Sequence, residues 1–115
     1  MSNTVTITDS TFDEQVRDSQ RPTLVDFWAT WCPPCRAMEP VLERLAARYA
    51  EEVTVGKLDV DANPRTATEY GVYSIPTLIL FDRGQPLQRL VGVQHREVLE
   101  GLLDGKLAPT SAQDR

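Results

Sequence analysis

Cysteine, histidine and long apolar runs are all scarce in this chain. Two cysteines and one histidine among 115 residues cannot make a disulfide-stapled secreted scaffold. A four-ligand zinc site would have to reach the distant His95 and would still fall short. No bound metal is therefore expected. No apolar stretch approaches the ~20 residues needed to span a bilayer, so no membrane association is expected either. Basic residues are the minority, 12 Lys and Arg against 17 Asp and Glu, for a net charge of −5. Without a basic footprint for phosphates, nucleic acid is excluded as a principal partner. The opening Met1-Ser2-Asn3-Thr4-Val5-Thr6 has neither the charged nor the apolar region of a secretory signal, which points to the cytoplasm.

What is present suits a globular domain, with 41% hydrophobic and 25% charged residues. No repeat or linker divides the chain, so residues 1–107 are expected to form one domain and residues 108–115 a polar tail. Val5 and Ile7 alternate with Thr as a short strand. Ser10 and Thr11 with Asp13 and Glu14 have capping-box spacing and predict a first helix ending near Ser19. Leu24 to Ala29 is a mostly apolar run, as in a strand buried on both faces, interrupted by Asp26. Met38, Val41, Leu42, Leu45 and Tyr49 form one stripe of a helix from Cys35, which Pro40 should kink. Val53 to Val60 reads as a strand, and Asn63-Pro64 as the N-cap and first residue of a short helix to about Tyr70. Thr77–Phe81 and Gln88–Val93 flank a Gly84-containing turn as an antiparallel pair, and Val98, Leu99, Leu102 and Leu103 mark a last helix. The order β-α-β-α-β-α-β-β-α predicts an α/β fold with a mixed central sheet, parallel early and antiparallel at its end.

The chemistry concentrates in Trp31-Cys32-Pro33-Pro34-Cys35-Arg36, between the buried strand and the helix. At a helix N-terminus, unpaired N–H groups and the positive dipole end stabilise a thiolate, the form that attacks a disulfide sulfur. A second cysteine one turn on can resolve the mixed disulfide. Two inert thiols or a permanent disulfide are the bland alternatives, and the strand–CxxC–helix setting favours redox chemistry. Asp26 is the next candidate, because burial in an apolar strand raises a carboxyl pKa and suits it to proton transfer. A solvent-facing strand Asp is its alternative.

The segment Asp26-Phe27-Trp28-Ala29-Thr30-Trp31-Cys32-Pro33-Pro34-Cys35-Arg36 resembles the active-site segment of the thioredoxin family. Asp59-Val60-Asp61-Ala62-Asn63-Pro64, Tyr70-Gly71-Val72, Ser74-Ile75-Pro76-Thr77, Gly84 and Gly92 match later family landmarks in order, so the resemblance spans roughly residues 3 to 107. It implies the thioredoxin fold, a mixed five-stranded sheet flanked by four helices. It also implies a monomeric protein-disulfide reductase with no bound cofactor beyond a redox-active Cys32–Cys35 disulfide. Its expected partners are a flavin- and NADPH-dependent thioredoxin reductase and disulfide-containing clients such as reductases and peroxiredoxins. By the same resemblance Cys32 is the nucleophile, Cys35 the resolving thiol, Asp26 its proton acceptor and Lys57 the partner of Asp26. Pro76 is expected to be cis. Trp31, Pro34, Ser74, Ile75, Pro76 and Gly92 then form a shallow docking groove, with Ile75 offering main-chain hydrogen bonds. Trp28 is assigned to packing beneath the site, and His95 to the surface with no catalytic role.

The chain departs from the common family pattern at Pro33, where Gly is usual, at Arg36 for Lys, and at Ser74 for Gly. Pro34 before the second cysteine favours a reductase over an oxidase. A binding-only module of the same fold has no need of the paired cysteines, Asp26 or Pro76. A glutaredoxin-like enzyme fits Trp31 and the full strand complement poorly.

Overall fold

The apolar run around Asp26 becomes the middle strand of a five-stranded sheet. The computed structural model describes residues 2–107; the expected tail at 108–115 lies outside the described residues. Its strands are β1 (Val5–Thr6), β2 (Thr23–Trp28), β3 (Thr54–Asp59), β4 (Thr77–Asp82) and β5 (Gln85–Val91), in spatial order β1-β3-β2-β4-β5. β3 runs parallel to both β1 and β2, whereas β4 is antiparallel to β2 and to β5. The expected mixed sheet is thus present, and β2 has neighbours on both edges, as its buried sequence requires.

The helical elements are a π-helical turn (Asp13–Arg17), α1 (Pro33–Ala37), α2 (Glu39–Arg48), α3 (Pro64–Glu69) and α4 (Arg96–Leu107). α1 and α2 are the predicted kinked helix, broken at Met38. Pro40 has no N–H for the Arg36 carbonyl, and its ring would crowd that oxygen. Met38 N–H instead turns back to Cys35 O at 3.1 Å.

One predicted cap is corrected, and a second is supplied by a different side chain. Ser10 and Thr11 do not cap a long first helix, which is only the π-helical turn and has no side-chain cap. The Thr11 hydroxyl faces backwards, accepting the Thr8 N–H at 2.9 Å and donating to Gln15 Oε1 at 2.6 Å. Asn63 does hold the N-cap position with Pro64 opening α3, as expected, but its side chain makes no cap bond. Its amide ties the Asp9 N–H (2.8 Å) to the Asp59 carbonyl (3.1 Å). The cap of α3 comes from across the molecule, where the Asp9 carboxylate accepts the N–H groups of Arg65 at 3.1 Å and Thr66 at 2.8 Å.

Arg83 and Gly84, with φ of 53° and 84°, make the two-residue turn between β4 and β5. Gly84 is required twice over, because a Cβ there would also stand 3.0 Å from Arg17 Cα. Alternation along the strands builds two apolar layers. Leu24, Val55, Leu78 and Leu80 pack under Leu42 and Leu45 of α2 and Leu99 and Leu103 of α4. Val25, Phe27, Leu58, Ile79 and Phe81 face Phe12, Val16, Ala67 and Val72 on the other side. Asp26 shares its side of β2 with Leu24, beneath the α1–α2 helix.

Candidate active site

β2 delivers the chain from the sheet to the CxxC motif, and α1 begins immediately after Cys32. Cys32 is the N-cap of α1, extended at φ −100° and ψ 103°, and its Sγ accepts the Cys35 N–H at 3.2 Å. Pro33 and Pro34 supply no N–H groups, so the Cys35 amide is the first-turn donor aimed at this sulfur. The two cysteines form a disulfide with Cα atoms 5.3 Å apart. Both are nearly closed off, Cys32 at 3% exposure and Cys35 at 1%. Ala29 packs with them, and Trp28, Val60 and Ile75 cover the cluster. Trp28 therefore takes the packing role expected of it.

Of the predicted groove residues, Ile75 packs against this pair. Trp31 stands 63% exposed, its indole N–H held by Asp61 Oδ2 at 2.6 Å. The Ile75–Pro76 peptide is cis. Ser74 is exposed while Pro76 is buried, and Ser74 O accepts the Thr77 hydroxyl at 2.6 Å. Gly92 donates its N–H to Pro76 O at 2.8 Å and has φ of +92°, a conformation that favours glycine. The next turn is anchored to the active-site helix, with the Gln94 N–H 3.4 Å from Met38 Sδ. Pro34 is exposed on the first turn of α1. Tyr73, Val91 and Val93, beside these residues in sequence and all exposed, are absent from the sequence-based groove. The valines read there as a strand continuing to Val93, but the strand ends at Val91.

Asp26 is fully buried, and neither carboxyl oxygen has a hydrogen-bond partner among the described residues. Burial pushes its pKa up to about 7, against the pull of Lys57 and with a further push from Glu39. Lys57 lies opposite Asp26 in the β2–β3 register, as expected of a neighbour. Its ammonium, however, bonds Glu39 Oε2 at 2.9 Å and sits 4.2 Å from the Trp28 ring centroid. Glu39 is the residue that sequence reasoning missed. Its position, four residues after Cys35 and in the first turn after the kink, is the signal that could have found it. Lys57 also lines a surface cavity of about 310 Å³ with Trp28, Glu43 and Asp59.

His95 is exposed, and its carbonyl accepts the N–H groups of Val98 and Leu99 in α4. Among the described residues no group of three or more His, Cys, Asp or Glu side chains is placed to hold a metal. Nor is any described helix long and apolar enough to cross a membrane.

The family model for thioredoxin matches residues 3–105. A thioredoxin of Alicyclobacillus acidocaldarius is 52% identical over 100 residues, covering 87% of this chain and 94% of that protein. A thioredoxin of Mycobacterium tuberculosis is 53% identical over 98 residues, 85% of this chain and 84% of the relative. A bifunctional thioredoxin reductase/thioredoxin of Mycobacterium leprae is 51% identical over 96 residues, 84% of this chain and 21% of its own length.

Proposed function

The chain belongs to the thioredoxin family and is a protein dithiol–disulfide oxidoreductase, and from that premise we propose how its residues divide the reaction. Cys32 is the nucleophile. The observation that carries this assignment is its place at the helix start, where its sulfur, and not that of Cys35, receives a backbone N–H. As a thiolate it attacks one sulfur of a client disulfide, forming a mixed disulfide and releasing the client's other sulfur as a thiolate that takes up a proton. Cys35 then gives its proton to Asp26, and its thiolate attacks Cys32 Sγ. The client's second sulfur leaves, the Cys32–Cys35 disulfide closes, and two electrons have passed to the client. Lys57 acts on Asp26 electrostatically from the neighbouring strand.

Trp31, Pro34, Ser74, Ile75, Pro76 and Gly92 form the client groove, extended by the exposed Tyr73, Val91 and Val93, which give it an apolar rim. An extended client segment docks beside Ile75 in the manner of an added strand. The electrons travel on the chain's own cysteines with no bound cofactor. A flavin- and NADPH-dependent thioredoxin reductase returns the pair to the dithiol; the Mycobacterium leprae relative, named for both activities, supports this partnership. The protein works as a cytoplasmic monomer with residues 1–107 as its redox domain, serving clients such as reductases and peroxiredoxins.

The test is turnover of an exposed disulfide, such as that of insulin, with dithiothreitol as reductant. Cys32→Ser abolishes turnover and captures nothing. Cys35→Ser also stops turnover but accumulates a mixed disulfide through Cys32. Capture by Cys32→Ser instead would reverse the two roles.

A further inference from the structure

One ammonium lies near two carboxyl groups beneath the active-site helix, and it is engaged by the one nearer the surface. Lys57 is the register neighbour of Asp26, yet it bonds Glu39 Oε2 at 2.9 Å and rests over the Trp28 ring. Asp26 is left without a hydrogen-bond partner in a fully buried position. A buried carboxylate that closes an ion pair becomes a weak base, because the pair holds its charged form.

We propose that Glu39 is a positioning residue for the dithiol–disulfide reaction: by drawing the Lys57 ammonium onto itself, it keeps Asp26 unpaired and able to accept the Cys35 proton. This rests on the assignment of Asp26 as that acceptor. The groups facing Asp26 bear it out element by element. β3 contributes Lys57 and α2 contributes Glu39, the two charges acting on it with opposite sign. β4 places uncharged Leu78 opposite it. Of the carboxylates around Lys57, Glu39 is the one that bonds the ammonium, while two others accept hydrogen bonds elsewhere. Glu43 accepts from Ser2, Thr4 and the Asn3 N–H, and Asp59 Oδ1 accepts from the N–H groups of Asp61 and Ala62. Glu39 therefore decides where the ammonium rests.

The experiment follows the Asp26 carboxyl by carbon-13 NMR in the disulfide form, where the cysteines do not titrate, alongside the pH profile of mixed-disulfide resolution. Glu39→Gln frees Lys57 to turn toward Asp26 and removes a repelling charge. The carboxyl midpoint should fall from about 7 by roughly half a pH unit. Resolution at pH 6, where more Asp26 is then ionised, should rise about two- to threefold. At pH 8.5 it should slow by up to about twofold, because a weaker base serves the same step. Glu39→Asp should restore part of the parental midpoint. In a Lys57→Met background the same Glu39→Gln change should produce a clearly smaller shift. An unmoved midpoint, or an equal shift with and without Lys57, overturns the proposal. Asp26→Asn separates this from failure of its premise. If Asp26→Asn leaves the resolution profile unchanged, the base assignment falls and takes the role of Glu39 in the reaction with it. If Asp26→Asn slows resolution while Glu39→Gln moves nothing, Glu39 alone is dismissed.

Discussion

On one side of the sheet Phe12, Tyr70 and Phe81 interlock, with ring centroids 5.1–5.5 Å apart in edge-to-face and tilted contacts. On the other, Leu24 and Leu78 share their layer with a carboxyl group that has no hydrogen-bond partner among the described residues. The first side brings together residues from three separate elements; its strands bury Thr23 and Thr77 beside the apolar residues, but no candidate catalytic group lies in it. The second carries α1, α2 and the cysteines, and accepts an unpartnered Asp26 beneath them. Apolar burial contributes roughly 25 cal/mol per Å², and aromatic pairs add about 0.5–1.5 kcal/mol each. Leaving a buried carboxyl unpaired costs on the order of several kcal/mol when it ionises. The aromatic layer thus offsets a deficit that the reactive layer needs for its chemistry.

Breaking the aromatic side should produce the largest change in stability. Phe81→Ala should cost about 3–5 kcal/mol, read as a lower denaturation midpoint in urea with the slope unchanged. Insulin reduction per folded molecule should stay at the parental rate, since Phe81 contributes no reacting group. A loss of specific activity at full folding would show that the two layers are not separable.

Asp26→Asn sharpens the contrast from the reactive side. The pKa of Asp26 is raised to about 7 in the folded protein, so the folded state favours the proton. The parent is therefore most stable below the ordinary carboxyl range and loses stability as pH climbs from about 4 to 7. The Asn variant lacks that loss. It should be more stable than the parent by roughly 2–4 kcal/mol at pH 8 and nearly equal to it at pH 4, while resolving mixed disulfides on the order of 10²-fold more slowly. Equal stability of the two proteins at pH 8 would mean that Asp26 is not penalised by burial.

The smallest expected effect is at the cap that serves the aromatic side. Asp9→Ala removes the acceptor of the Arg65 and Thr66 N–H groups and should cost about 1–2 kcal/mol. Amide hydrogen exchange should quicken in α3 first. Uniform exchange across the molecule would argue against a local cap.

These regions also differ in how much of them could be read from sequence. The strand run through Asp26, the break imposed by Pro40 and the Gly84 turn depend on neighbouring residues, and all three were legible. The CxxC motif declared its own placement between strand and helix. The cap of α3 was not legible, because Asp9 reaches Thr66 across 57 residues and the adjacent Asn63 imitates the local signal. The meeting of Phe12, Tyr70 and Phe81 is equally a product of chain topology. Asp26 was found through its mismatch with an apolar run, and Lys57 through family resemblance. Glu39 escaped because a glutamate in a first helical turn already has an ordinary reason to be there, and its bond to Lys57 spans 18 residues.

Both outer strands of the sheet are poor templates for further pairing. β1 has only two residues. β5 carries Pro86, which has no N–H, and an exposed Arg89, and its register against β4 shifts between Leu80 and Phe81. Short, charged or irregular margins of this kind discourage strands of separate molecules from stitching together. Colloidal stability at high concentration is therefore built into the rim of the sheet. Fibre growth from strands of separate copies is disfavoured at both margins.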